Sequence, residues 1–137
     1  ELGALTEVQP GSYLFMDADY ARNEDLCPSS GSAFEHSLFV ATTVQTVSER
    51  GWAVVDAGMK AVSLDSGPPL CLGMPHLEYQ CAGDEHGKLV PKSGSALGVV
   101  RGDVLTLIPG HCDPTVNLHD WFVFVDERDV VTAVEPV

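Results

Sequence analysis

The sequence predicts a mainly β domain, a barrel or sandwich of short strands. Its 137 residues are 45% hydrophobic and 20% charged, the length and apolar content of one globular domain with a single core. The apolar stretches are short and rich in Val, Phe, Leu and Thr, and Gly, Pro, Asp and Asn separate them, as is typical of strands and turns. Eight such stretches in a chain of this length indicate a barrel or a sandwich.

Eight segments carry the strand pattern. They are residues 12–17, 39–48, 52–57, 77–81, 88–90, 103–108, 121–125 and 130–134. Turn signals lie between them, with ERG at 49–51, SGPP at 66–69 and RGD at 101–103. The longest polar segment is residues 17–34, which we expect to form an interface because polar loops of this length in compact domains are functional, contact a partner or lack structure.

The charge balance excludes two classes of partner. Seven Lys and Arg against twenty Asp and Glu give a formal net charge of −13, which repels phosphate backbones and anionic membrane surfaces. No apolar run approaches the roughly 18–20 residues of a membrane helix. The first residues also lack the basic and apolar regions of a targeting segment. We therefore expect no nucleic-acid partner and no membrane partner.

The cysteines indicate a reducing compartment. Cys27, Cys71, Cys81 and Cys112 form neither a CxxC pair nor the dense pattern of a small secreted scaffold. We therefore expect reduced thiols in a cytoplasmic protein. The chain begins at Glu1 and enters a predicted strand within a dozen residues, so we also expect it to be one part of a longer polypeptide.

The segment IPGHCDPTVNLHD, residues 108–120, carries the strongest chemical signal. In an extended strand, residues two apart point to the same face, so His111 and Asp113 can converge on one ion while Cys112 faces away. An imidazole nitrogen and a carboxylate oxygen, with water or substrate in the remaining positions, suit an open site for Mn²⁺, Mg²⁺ or Zn²⁺. The alternative is a chance His-x-Asp in a hydrogen-bonded loop.

Four stretches in this order resemble the C-terminal region of the D-threonine aldolase and D-serine dehydratase family. They are EVQPGSYLFMDADY, VVDAGMKAVSLDSG, GDEHG and IPGHCDPTVNLHD, and the last is the most specific. The resemblance implies the alanine racemase-type fold (fold type III), in which an N-terminal (β/α)₈ barrel carries pyridoxal phosphate on a lysine and a β-barrel domain closes over it. Residues 1–137 would then be a single D-serine dehydratase-like β-barrel domain, with the cofactor barrel outside this chain.

The resemblance also implies a divalent metal beside the cofactor. The family holds this metal with a His-x-Asp pair in the aldolases and a His-x-Cys pair in the dehydratases. His111 and Asp113 match the aldolase pattern, and their donor set favours Mn²⁺ or Mg²⁺ over Zn²⁺. Cys112 falls at the intervening position and is not assigned as a ligand.

The activity that the resemblance implies is cleavage of a β-hydroxy-D-amino acid, such as D-threonine, to glycine and an aldehyde. The partners would be the N-terminal barrel of the same enzyme and a second copy in a homodimer, and the isolated domain would be inactive. One alternative is a D-serine or 3-hydroxyaspartate dehydratase. Another is a non-catalytic β-barrel module that binds a partner.

Other polar residues near these motifs have weaker signals. Glu85 and His86, between two glycines, are candidates to orient a metal-bound histidine through a hydrogen bond. Lys60 has apolar neighbours, but the cofactor lysine of the family lies in the barrel, so a lysine with its stem packed and its amine in water is the better interpretation. His119 and Asp120 are expected to begin the strand at 121–125.

Overall fold

A six-stranded antiparallel sheet dominates the computed structural model, which describes residues 6–7, 9–23 and 34–137. Its strands are β1 (Val40–Val47), β2 (Ala53–Val55), β3 (Leu70–Cys71), β4 (Leu77–Cys81), β5 (Gly87–Pro91) and β6 (Val104–Ile108). The order across the sheet is β3-β6-β1-β2-β5-β4, and the two edge strands, β3 and β4, pack against each other. The sheet is therefore nearly closed, and the prediction of a mainly β, barrel-like domain is confirmed.

Strand β1 lies at the centre of the sheet and bends to pair with two neighbours. Its first half pairs with β6, with Thr42 opposite Leu105, and its second half pairs with β2, with Val44 opposite Val55. The register shifts between Val44 and Thr46. Because a bulge bends a strand and increases its twist, this irregularity curves the sheet towards closure.

The core follows from the alternation of side chains along the strands. In β1, Val40, Thr42 and Val44 are buried while Ala41 faces solvent. Leu89 of β5 and Leu107 of β6 are fully buried in the same cluster. Burial of this apolar surface is the main term that stabilises the sheet.

A separate two-stranded sheet follows, formed by β7 (Trp121–Val125) and β8 (Val131–Pro136). Val123 pairs with Val134 across it, and both side chains are exposed. Phe122 packs near Phe15, with 6.1 Å between the ring centroids. The strands predicted at 121–125 and 130–134 are thus confirmed, but as a hairpin outside the main sheet.

One predicted strand is absent, and one observed strand was not predicted. Residues 12–17 do not form a strand, because Ser12–Leu14 is a 3₁₀-helical turn and Met16 has φ of +51°, which a strand does not accept. Strand β3 was not predicted, since two residues are too few to show a period. Within the polar segment 17–34, Tyr20–Arg22 forms a second 3₁₀-helical turn, and residues 24–33 lie outside the described residues.

The three cysteines in the described ranges, Cys71, Cys81 and Cys112, are free, while Cys27 lies outside those ranges. In the same part of the chain, no helix combines the length and apolar character needed to span a bilayer.

Leu107→Ala is expected to lower the free energy of unfolding by about 2–5 kcal/mol, because it removes a fully buried side chain from the centre of the core. Val104→Ala, on the same strand but 71% exposed, should cost under about 1 kcal/mol. Urea denaturation of the two variants beside the unsubstituted protein measures both losses. Equal losses would contradict this account of the core.

Candidate metal site

The candidate site lies where β6 leads into a short helix, α1 (Cys112–Val116). His111 is the residue before the helix and has an extended backbone, with φ of −147° and ψ of 129°. The expectation that His111 and Asp113 share one extended strand was therefore wrong. Asp113 and Pro114 lie in the first helical turn, where a carboxylate is favoured by the helix dipole and proline loses no hydrogen bond.

The helical turn nevertheless brings the predicted pair together. His111 Nε2 lies 3.8 Å from Asp113 Oδ2. The His111 side chain is 25% exposed and that of Asp113 is 81% exposed, so the pair opens to solvent on the Asp113 side.

The other ring nitrogen of His111 is engaged by a carboxylate. Nδ1 lies 2.9 Å from Asp65 Oδ2, and Asp65 Oδ1 accepts a hydrogen bond of 2.8 Å from the Ser63 hydroxyl. The hydrogen bond between His111 and Asp65 raises the pKa of His111 and lowers the pKa of Asp65. Because Asp65 engages Nδ1, Nε2 is the ring nitrogen that faces Asp113.

Two buried side chains hold the start of α1 in place. The Thr115 hydroxyl donates to the His111 carbonyl (2.7 Å) and accepts from the Ser63 backbone N–H (3.2 Å). The Asp17 carboxylate accepts from the backbone N–H groups of Cys112 (3.0 Å) and Tyr20 (2.8 Å). Asp17 thereby binds a backbone N–H of the first turn, which has no partner within the helix.

A close approach between two backbone segments also holds the candidate site in place. A Cβ at Gly110 would collide with the carbonyl oxygen of Gly67, so only glycine lets the end of β6 lie against residues 66–69. Pro69 and Pro109 on either side of this contact are fully buried. The loop that carries Asp65 is therefore packed directly against the segment that carries His111.

The donor set fits a divalent cation. Bonds of about 2.0–2.2 Å from one ion to nitrogen and oxygen ligands allow donors up to about twice that distance apart, and the His111–Asp113 separation of 3.8 Å falls within this limit. No group of three or more His, Cys, Asp or Glu side chains that could hold a metal occurs among residues 6–7, 9–23 and 34–137. From the described residues, an ion here would have two ligands, His111 Nε2 and an Asp113 carboxylate oxygen, and further coordination positions would stay open.

Cys112 faces away from this pair. Its side chain is buried, and Sγ donates to the Met16 carbonyl at 3.2 Å. Burial, together with the nearby carboxylates of Asp17 and Asp113, raises the pKa of Cys112 to about 12. Because the thiolate is the form that binds metals, the structure agrees with leaving Cys112 out of the ligand set.

The weaker sequence candidates contact other groups. Glu85 Oε1 pairs with Lys60 Nζ at 2.6 Å, both side chains are exposed, and this contact raises the pKa of Lys60. A Schiff-base lysine requires the opposite shift, in agreement with excluding Lys60. The backbone carbonyl of His86 accepts from Ala82, and His119 Nε2 lies 2.9 Å from the Ala61 carbonyl.

Sequence reasoning missed Asp65 as the carboxylate that contacts His111. Asp65 is 46 positions before His111 in the chain and belongs to LDSG, in which Asp followed by Ser and Gly is typical of an ordinary turn. No spacing rule connects two residues at that separation.

A barrel-like sheet of this kind occurs in known enzymes as one part of a longer chain. Residues 37–125 match the family model described as "Putative serine dehydratase domain". This match spans well over half of the chain, and the chain belongs to that family.

Named relatives are aldolases and a dehydratase. The chain is 46% identical over 133 residues to 3-hydroxy-D-aspartate aldolase of Paracoccus denitrificans, covering 96% of this chain and 34% of the relative. The crystal structure of D-threonine aldolase from Filomicrobium marinum matches 98% of this chain and 35% of that chain, with a TM-score of 0.85 and 41% identity. The chain thus spans about a third of the length of these relatives.

Two further structures extend the comparison. A mutant of D-threo-3-hydroxyaspartate dehydratase in its metal-free form matches 93% of this chain and 38% of that chain, with a TM-score of 0.67 and 26% identity. An alanine racemase-like protein from Idiomarina loihiensis matches 99% of this chain and 39% of that chain, with a TM-score of 0.74. Its identity of 19% shows a likeness of fold alone. The predicted likeness of fold to an alanine racemase-like protein is confirmed.

Cysteine alkylation should separate the buried thiols from the exposed one. At about pH 8, Cys81 is expected to react in the folded protein while Cys112 stays unmodified, because its pKa of about 12 and its burial leave almost no accessible thiolate. Peptide mapping by mass spectrometry reads both sites, and unfolding in denaturant should expose Cys112. Equal labelling of the two residues in the folded protein would show that Cys112 is not enclosed as described.

Proposed function

We propose that this chain is the metal-bearing C-terminal β domain of a pyridoxal phosphate-dependent lyase of the D-threonine aldolase type. The observation that carries the proposal is the placement of His111 Nε2 3.8 Å from Asp113 Oδ2, with Nδ1 already engaged by Asp65. The proposed reaction cleaves a β-hydroxy-D-amino acid to glycine and an aldehyde. An N-terminal (β/α)₈ barrel of the same polypeptide would hold pyridoxal phosphate, and the whole enzyme would act as a homodimer.

The similar proteins support the aldolase branch. The Paracoccus relative and the Filomicrobium structure are both named aldolases, at 46% and 41% identity, whereas the dehydratase structure matches at 26%. The name of that dehydratase structure specifies a metal-free form, which supports a metal in the family. Asp113 offers a hard oxygen donor, and an N,O donor set favours Mn²⁺ or Mg²⁺ over the Zn²⁺ that a thiolate would select.

The residues of this chain have distinct tasks in the proposed site. His111 supplies Nε2 and Asp113 supplies a carboxylate oxygen as the two protein ligands. A bound divalent cation would polarise the β-hydroxyl of the substrate, and pyridoxal phosphate would serve as the electron sink. The exposed side of Asp113 leaves room for the substrate hydroxyl to approach, while hydrogen bonds with the buried Asp17 and Thr115 hold the first turn of α1 in place.

A dehydratase acting on D-serine or a 3-hydroxyaspartate is the second candidate, favoured by the match to the D-threo-3-hydroxyaspartate dehydratase structure. Product analysis with the full-length protein separates the two reactions. Glycine and an aldehyde indicate the aldolase, and a 2-oxo acid and ammonia indicate the dehydratase. A non-catalytic binding module would give neither set of products.

His111→Ala and Asp113→Ala in the full-length protein should each abolish metal-dependent activity and leave the visible absorbance of the cofactor intact, because different domains hold the two groups. A chelator should inactivate the unsubstituted protein, and added Mn²⁺ should restore it, since two protein ligands give an easily stripped site. Cys112→Ala is the matched control and should retain the response to Mn²⁺. Full activity of either ligand variant in chelator-treated buffer would refute the metal assignment.

Asp113→Cys should change which metal restores activity. A thiolate is a softer donor than a carboxylate, so the variant is expected to respond better to Zn²⁺ and worse to Mn²⁺ than the unsubstituted protein. Reactivation of metal-stripped protein by each ion, measured side by side, gives the preference. An unchanged ratio of the two responses would argue that Asp113 does not bind the ion.

A further inference from the structure

We propose that Asp65 is a positioning residue that orients His111 towards the cation and selects its tautomer. The inference rests on the proposed metal site and adds a residue that neither the motif nor the comparisons assign. It follows from the contacts on the side of the imidazole ring that faces away from Asp113.

The contact with Asp65 determines which ring nitrogen is free. An ionised carboxylate only accepts hydrogen bonds, so at 2.9 Å from Asp65 Oδ2 the proton of the His111 ring lies on Nδ1. A neutral imidazole carries one proton, and Nε2 then bears the lone pair. This is the nitrogen that lies 3.8 Å from Asp113 Oδ2. The tautomer that Asp65 favours is therefore the one a metal requires.

Asp65 is itself fixed by a closed circuit of hydrogen bonds. Its Oδ1 accepts from the Ser63 hydroxyl at 2.8 Å. The Ser63 backbone N–H donates to the hydroxyl of the buried Thr115, which donates to the His111 carbonyl. The circuit starts and ends at His111, so the backbone and the ring of this residue are held by the same short loop, residues 63–65. Carboxylates that orient metal-bound histidines in this way tune both geometry and ligand basicity.

Glu85, the other carboxylate considered for this role, forms an ion pair with a different residue. Glu85 is the residue that the sequence analysis singled out for this task, and its Oε1 contacts Lys60 Nζ at 2.6 Å. Among the described residues, Asp65 is thus the carboxylate within hydrogen-bond distance of the His111 ring, whereas Asp113 Oδ2 lies 3.8 Å from Nε2.

Mn²⁺ binding to the metal-stripped full-length protein tests the first consequence. Asp65→Ala is expected to raise the dissociation constant for Mn²⁺ about 10–100-fold by calorimetry, the range observed when such supporting groups are removed. Asp65→Asn, which keeps the shape and an accepting oxygen but loses the charge, should give a smaller increase and serves if the alanine variant is unstable. Glu78→Gln, an exposed carboxylate on β4, is the charge-matched control and should bind as the unsubstituted protein does.

Nitrogen NMR of ¹⁵N-histidine-labelled, metal-free protein tests the second consequence. At a pH where the imidazole is neutral, His111 should carry its proton on Nδ1 in the unsubstituted protein and on both nitrogens in exchange in Asp65→Ala. A merely structural role would not move this tautomer.

The outcomes separate the two proposals. An unchanged dissociation constant together with an unchanged tautomer in Asp65→Ala would overturn the role of Asp65. Failure of the unsubstituted protein to bind Mn²⁺ would instead overturn the proposed metal site, while the tautomer measurement would still report on Asp65.

Discussion

The buried hydroxyl of Thr115 is the contact on which the geometry of the site depends. It joins the His111 carbonyl to the Ser63 backbone, and so fixes the distance between α1 and the loop that carries Asp65. An unpaired buried hydroxyl costs about 1–3 kcal/mol, so loss of either hydrogen-bond partner of Thr115 would destabilise this part of the fold. Asp17 acts on the opposite side of α1 through the Cys112 N–H. Between these two buried groups, His111 has one defined backbone position.

The short helix needs this support because it has little stability of its own. Five residues form barely more than one turn, and helices of that length are unstable in water without tertiary contacts. The core supplies the fixed frame, since the buried Leu107 anchors β6 and the glycine contact between Gly110 and Gly67 brings the two loops together. The position of the candidate ligands is thus a consequence of how β6 ends.

Local pattern was enough to predict most of the sheet and the proximity of His111 and Asp113, but not what surrounds them. Alternation of apolar side chains identified β1 and β6, and the two-residue spacing singled out His111 and Asp113. The extended backbone predicted between these two residues was wrong, because Pro114 is equally compatible with a loop and with a first helical turn. Asp65 was missed because it meets His111 only through the tertiary fold, across 46 positions. The aldolase branch came from the resemblance and not from any of these patterns.

The most direct test of the central claim is electron spin-echo spectroscopy of the Mn²⁺-loaded full-length protein. Modulation from a directly bonded imidazole nitrogen is predicted in the unsubstituted protein, because His111 Nε2 is the free ring nitrogen at the site. It should disappear in His111→Gln, in which no imidazole remains at this position. Absence of nitrogen modulation in the unsubstituted protein, or its persistence in His111→Gln, would contradict a metal held by His111 and Asp113.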